Sequence, residues 1–365
     1  APPKQPILIF ELNYPRTKRL AFHIIIHTDH LPSKEILAQT SAFRDELYQA
    51  LEDGSPSTVI SACENYFPFL FGLVQSVQFN QNLQLNTPMT FTWTSPFVDK
   101  LKPYMSYTYQ HEIIMVSLAY GLAHYNRGAE ILRHTSTASF EEESKKAVLY
   151  FKTAAGILQY IHVVAIPKWI DIPVDRPPEL HMNVMRALQD YCCYAAQSIT
   201  IKKGITGLSK PLLAKLAVQN WQHAERFVVA CRTTKNYKEM LPTPLKKFLP
   251  YLMSLSKATA HKFMALNAYS LQKYGAAASH TLVATEAIRK IKKKPVSSSI
   301  VKQFGQEIND SIMEIEHVHR KCFGENEHVY YQRTTPEDML EMMEPKSVVT
   351  IAMWIPPPPA YDRIL

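Results

Sequence analysis

Three histidines, His23, His27 and His30, stand four and three residues apart in FHIIIHTDH, a spacing that suggests a metal site. The run is β-rich, however, and in a strand residues i and i+4 share a face about 13 Å apart, too far for one ion. Satisfied or exposed imidazoles are the expectation. His111-Glu112 opens HEIIM, which lacks the second histidine of a zinc-protease helix. The chain has no GxGxxG, no GxxxxGK[ST] and no GxSxG. Five cysteines, Cys63, Cys192, Cys193, Cys231 and Cys322, show neither CxxC spacing nor a disulfide framework, which favours a reducing compartment. No enzyme, metal ion or cofactor is expected; the chemistry that remains is that of binding.

The elements that would carry such binding are long helices. Apolar residues recur at three- and four-residue spacing through 139–166, 178–203 and 209–234, which puts them on one face of each segment. Ala154, Ala155, Gly156, Ala195, Ala196, Ala214 and Ala217 are small enough to let helix backbones approach closely. The same periodicity predicts helices over 33–53, ending at Gly54, over 57–79 with a bend at Pro68, and over 109–134, 243–275, 277–293 and 298–323. Ser139 and Glu142 form a capping-box pattern, and Pro244 suits a first helical turn. Residues 6–28 hold two β-rich runs that read as a hairpin or two short strands. The segment 80–108, rich in Asn, Thr and Pro, reads as irregular, and after 326 the pattern gives way to an extended tail. With 46% hydrophobic residues the 365-residue chain can bury a sizeable core. No stretch reaches the roughly 18 uncharged apolar residues of a bilayer span. One domain over 1–365, mainly α, is the reading: a helical-repeat scaffold whose product is a binding surface.

Charge adds a second surface. The net charge is +8, and its densest run is Arg289, Lys290, Lys292, Lys293 and Lys294. Smaller groups are Arg16, Lys18 and Arg19, then Lys202 with Lys203, and Lys246 with Lys247. Such runs draw acidic membrane at about 1 kcal/mol per basic residue, yet they also suit a solvated helix end. No nucleic-acid module accompanies them, so no nucleic-acid partner is expected. In the tail, Pro358, Pro359, Ala360 and Tyr361 spell PPxY, a pattern that WW domains, including those of ubiquitin ligases, read as a polyproline II ligand. A stiffened tail packed back through Trp354 and Ile355 is the alternative.

FTWTSPF, YQHEIIMVSLAYGLAHYNRGAEIL, AVLYFKTAAGILQYI, AAQSITIKKG with LLAKLAVQNWQHA, and VYYQRTTP occur in this order over roughly residues 60–340. In order and spacing they resemble the Bro-one (BRO) domain family, with the closer likeness to its BROX-type branch, since AQSITI carries Thr where others have an aromatic. The resemblance implies a curved, banana-shaped α-solenoid with a small N-terminal sheet. It further implies a concave hydrophobic patch that binds the C-terminal amphipathic helix of CHMP-type ESCRT-III subunits, on cytoplasmic faces of endosomal membranes. The alternative is a membrane-surface or signalling scaffold that binds acidic lipid without such a partner.

Carried over by residue, the family's patch falls on Leu212 and Leu216, which are expected to face outward, while Leu213, Ala217, Asn220, Ala224 and Val228 serve the core. Its third apolar contact falls on Thr200, and its flanking acid and base fall on Glu141 and Lys145. Tyr330 matches a family tyrosine that can be phosphorylated, with Tyr331 beside it.

Overall fold

A computed structural model describes residues 7–79, 84–85, 88–99, 102–136, 138–170, 172–233, 241–292 and 298–361. The chain forms two compact units: Glu11–Gln189 with Ile351–Leu365, and Ala1–Phe10 with Asp190–Thr350. In the first unit a short helix α1 (Phe22–Ile25) precedes α2 (Leu31–Asp53) and α3 (Pro56–Phe79), and later α4 (Tyr109–His134) and α5 (Phe140–Tyr160). Helix α6 (Met182–Gly204) contains the unit boundary. The second unit continues with α7 (Lys210–Thr233), α8 (Thr243–Ser270), α9 (Tyr274–Lys292) and α10 (Ser298–Glu325). The helical periodicity is thus realised along the chain, with ends within a few residues of those predicted.

The ends have local causes. Helix α2 stops where Gly54 adopts φ 75°, the left-handed conformation a glycine takes without a Cβ penalty, and its N–H returns to the Ala50 carbonyl. Pro244 lies in the first turn of α8. Ser139 does not form the predicted capping box: its backbone is already helical and its hydroxyl bonds Ser136 instead. The predicted helices 243–275 and 277–293 are α8 and α9, and the break between them falls a few residues earlier than predicted, around Gln272, whose φ is 58°. Helix α5 passes into a wider π-turn, Ile161–Ala165, and the stretch Phe140–Ala165 is by length and composition apolar enough to cross a membrane. Half of its apolar window is buried, as in a core helix. Phe151 lies over Gly128 and Ile157 over Gly121, where α4 has no side chain to hold them off. Helix α4 is buried almost all round, from His111 to Ala129.

The strand content differs from expectation. Among the described residues of this stretch, 7–28, there is no hairpin; His23 lies in α1, and Ile26–His27 (β1) is the one strand, paired antiparallel with Gln84–Leu85 (β2). FTWT, read as irregular, is strand β3 (Phe91–Thr94), paired with β4 (Pro103–Ser106), and Thr17 adds an antiparallel bridge to Trp93. A buried ionic network ties this sheet to the helices. Glu112 on α4 accepts from Arg44 Nε at 2.7 Å, Trp93 Nε1 at 2.6 Å and the Tyr66 hydroxyl at 3.1 Å. Arg44 and Glu112 are 1% and 0% exposed, so each charge depends on the other for compensation.

From Tyr331 onward an extended strap follows the helices, and glycines provide the notches it enters. In the second unit the Arg333 carbonyl lies where Gly275 lacks a Cβ. In the first unit the Ala352 carbonyl does the same at Gly156, and the Tyr361 ring covers Gly72. Trp354 donates its N–H to the Gly156 carbonyl at 3.1 Å, and its ring sits among Phe67, Tyr120 and Tyr160.

Candidate functional site: the seam between helices six and seven

The seam is built on a buried apolar cluster from α6, α7 and α8 that includes Ile201, Leu213, Leu216, Val218, Phe263 and Met264. Ile205, Leu208 and Leu212 pack on it while staying half-buried. Leu213, Ala217, Asn220, Ala224 and Val228 are buried, so that face of α7 serves the core. Leu212 and Leu216 do not share the outward orientation expected of them. Leu212 is half-buried, whereas Leu216 is 0% exposed. The cause is helical phase: α7 is clamped on one side by α6, through Gln197 and Ser198, and packed against α8, which leaves only a narrow outer stripe. Thr200 is half-buried, with its hydroxyl turned back to the Ala196 carbonyl at 3.4 Å.

A residue that sequence reasoning missed, Gln197, organises the seam. Its Nε2 donates to the Leu216 carbonyl at 2.8 Å and to the Lys346 carbonyl at 3.3 Å. Its Oε1 accepts the Val348 N–H at 3.3 Å, and the Lys346 N–H reaches the Lys215 carbonyl at 3.1 Å. The strap therefore crosses α7 beside Leu216, and its Met343 joins the rim of the apolar cluster. A glutamine in an otherwise apolar stretch, AAQSITI, was the available signal. Further along, Asp190 is held by Arg226 at 2.7 and 2.8 Å and by His223 at 2.7 Å. Burial alone would raise its carboxyl, but these hydrogen bonds outweigh burial and hold it below the usual range.

Glu141 and Lys145 lie in the first unit, on the exposed side of α5, 3.6 Å apart. Lys145 also reaches Glu142 at 3.3 Å, and hydrogen bonding to that carboxylate raises its pKa. Tyr330 closes a π-turn (Asn326–Tyr330), stacked on Tyr274 with ring centroids 3.4 Å apart. Tyr331 next to it is 75% exposed at φ 51°. In the PPxY element Pro358 and Pro359 are exposed. Tyr361 is half-buried, its hydroxyl donating to the Phe69 carbonyl at 3.1 Å and its ring within 2.8 Å of where a Gly72 Cβ would stand. Of the basic run, Arg289 pairs with Glu286 and Lys292 with Glu316, while Lys290 is exposed; Lys293 and Lys294 lie outside the described residues.

The histidines that suggested chemistry have separate partners. His23 meets the Ser41 hydroxyl, His30 that of Ser33, and His27 lies 3.7 Å from Asp29. His111 stacks on Trp169, and burial pushes its pKa down to about 4. Among the described residues no three His, Cys, Asp or Glu side chains converge as metal ligands, and all five cysteines are buried free thiols.

Comparison with known proteins bears on this geometry. Three solved structures share the fold at low sequence identity. ALIX in complex with the SIVmac239 PYKEVTEDL late domain matches with TM-score 0.70 and 14% identity, over 93% of this chain and 48% of that one. An ALIX BRO1–CHMP4C complex matches with TM-score 0.67 and 15% identity, over 95% of each chain. A Bro1 domain described as the structural basis for endosomal targeting gives 0.71 and 13%, over 96% and 94%. Among curated relatives, the BRO1 domain-containing protein BROX of Mus musculus is 26% identical over 63% of this chain. BROX of Xenopus tropicalis is 25% identical over 76%, and human BROX 22% over 78%. The chain spans 55% of the mouse protein, 68% of the frog protein and 70% of the human one. The model of the BRO1-like domain matches residues 21–362, nearly the whole chain, and the protein belongs to that family.

Proposed function

We propose that this chain is a non-enzymatic docking module that receives an amphipathic helix of a CHMP-type ESCRT-III subunit on the α6–α7 seam. The observation that carries the reading is the half-buried rim of Ile205, Leu208 and Leu212 over a fully packed cluster. A helix laid in a groove is anchored by a few apolar side chains at helical spacing, and such a rim can accept them without rearranging the core. The solved ALIX BRO1–CHMP4C complex, on the same fold, supports the choice of partner. Recruitment to endosomal membranes is part of the same proposal. Glu141 and Lys145, exposed on α5 of the first unit, are proposed as charged partner contacts in their own right. A WW domain, the other partner proposed, would have to draw Tyr361 away from Phe69 and Gly72.

Titration of the intact chain with C-terminal helix peptides of ESCRT-III subunits tests the reading. Saturable binding that Leu212→Asp abolishes, with far-UV circular dichroism and melting unchanged, is the expected result. Saturable binding that Leu212→Asp leaves intact places the site elsewhere, and the absence of any peptide binding removes the proposal.

A further inference from the structure

The first unit holds a cleft of about 360 Å³ remote in sequence from the α6–α7 seam, and its floor is a strand pairing. Thr17 pairs with Trp93, and both are buried, so the period of two turns Arg16, Lys18, Thr92 and Thr94 to the opposite, outer face. The backbone beneath them is fixed from two sides. The Thr94 N–H donates to the Arg16 carbonyl at 2.8 Å, the Arg16 N–H to the Thr94 hydroxyl oxygen at 2.9 Å, and the Thr17 hydroxyl to the Thr92 carbonyl at 2.8 Å. From below, the buried Arg44 donates to the Lys18 carbonyl and, at 2.9 Å, to the Thr17 hydroxyl oxygen. The last turns of α2 form a wall with Tyr48 and Glu52.

The charges on this platform are arranged for an anion. Three exposed cations within four residues, Arg16, Lys18 and Arg19, line the cleft against one lining carboxylate, Glu52. Glu52 accepts from Arg16 at 3.2 Å, in an exposed pair that an incoming anion can replace at little cost. Arg19 is occupied by Asp45 at 2.9 Å and lies over the Tyr48 ring at 5.1 Å. Lys18 pairs with no carboxylate among the described residues. The hydroxyls of Thr92, Thr94 and Tyr48 supply neutral donors and acceptors beside the cations. Fork-shaped Arg and point-charge Lys are the usual pair for phosphate oxygens, hydroxyls suit a polyol, and the volume lies near the small end of ligand pockets.

We propose that this cleft binds a phosphorylated polyol of the inositol phosphate type, with Arg16 and Lys18 on the phosphates and Thr92 and Thr94 on the ring. The same chemistry is offered by a soluble inositol phosphate and by a phosphoinositide headgroup. On β4, next to Thr92, Met105 is 64% exposed, a side chain that would meet lipid only if the ligand is a headgroup.

The test is calorimetric titration of the intact chain with inositol 1,4,5-trisphosphate. Flotation runs in parallel, with phosphatidylcholine vesicles carrying phosphatidylinositol 4,5-bisphosphate or, at matched charge, phosphatidylserine. Saturable trisphosphate binding is expected, weakened about tenfold by Lys18→Glu or Arg16→Glu and tightened a few-fold by Glu52→Gln. All three side chains are surface groups, so melting should be unchanged, and the opposite sign for Glu52→Gln separates site occupancy from unfolding. Preference for the phosphoinositide vesicles, lost in Met105→Asp while trisphosphate binding persists, identifies the headgroup as source. Trisphosphate binding without vesicle preference identifies the soluble ligand. The proposal fails if trisphosphate does not bind saturably, or if Lys18→Glu and Glu52→Gln leave its affinity unchanged.

Discussion

Leu212 and Leu216 are the same residue type one helical turn apart, and α7 gives them opposite duties. Leu216, at 0% exposure, supports the cluster beneath the strap, so Leu216→Asp buries an unpaired charge. That substitution should cost more than about 4 kcal/mol and show as a collapse of the melting transition. Leu212→Asp, on the rim, should shift stability by no more than about 1 kcal/mol while removing peptide binding. Equal losses of stability in the two variants would place Leu212 in the core as well. A second residue-scale expectation concerns pH. Glu179 is fully buried beside Ser95, whose hydroxyl donates to it at 2.6 Å, and burial pushes the carboxyl up to about 7 from 4.5. Between those values the folded protein keeps a proton that the unfolded chain has released, so stability falls as pH rises through that window. The shift corresponds to a loss on the order of 3 kcal/mol. Glu179→Gln keeps an acceptor for Ser95 and should flatten the dependence; denaturant titrations at pH 5 and pH 8 read the difference, and an unchanged slope would mean that the carboxyl ionises without penalty. The Arg44–Glu112 pair offers the complementary case. Glu112→Ala strands a buried guanidinium and should cost about 3–5 kcal/mol by urea unfolding, with Trp93 losing its acceptor as well.

The strap shows how elements depend on the absence of side chains. Gly156, Gly72 and Gly275 are not needed for their backbone angles; their lack of a Cβ is what lets the strap lie against the helices. Gly156→Ala would set a methyl group against the Ala352 carbonyl and break the Trp354 N–H bond to residue 156. The expected outcome is faster amide exchange over residues 345–361, read by hydrogen-exchange mass spectrometry, while α4 remains protected. If exchange in α4 rises equally, the substitution has unsettled the helices themselves. The β3–β4 pair shows the same dependence from the other side. Thr17, bridged to Trp93, is held through its hydroxyl by Arg44, 27 residues further along the chain.

At the scale of the whole molecule, the strap is a distributed stabiliser of each unit. In the second unit it is held by Gln197, by Ser279, which accepts the Thr335 N–H at 2.7 Å, and by Lys257, which pairs with Glu337 at 2.6 Å. In the first it is held by Trp354 and Tyr361. Removing residues 341–365 should lower the melting temperature and make the seam around Leu216 accessible, with Trp354→Ala alone costing about 3–5 kcal/mol. A truncated chain that melts like the intact one would show that the strap contributes contacts without net stability.

Much of this was legible from residue order. Periodicity of three and four placed α2 to α10 to within a few residues, because an amphipathic helix records its buried face locally, and the family motifs lie on those helices. Pro244 and Gly54 marked their ends by chemistry that acts over a single turn. What escaped the sequence depended on partners far along the chain. FTWT became a strand because β4 and Thr17 came to lie beside it, and Ser139 missed its cap because Ser136 offered a nearer partner. The break between α8 and α9 fell at Gln272, a few residues before the predicted one, with no glycine at that position to mark it. The patch residues carried the sharpest lesson. The i, i+4 spacing of Leu212 and Leu216 established that they share a side of α7, but a side of a helix is broader than its exposed stripe. Only the positions of α6, α8 and the strap, 130 residues further on, decided that Leu212 meets solvent while Leu216 is sealed beneath Gln197 and Lys346.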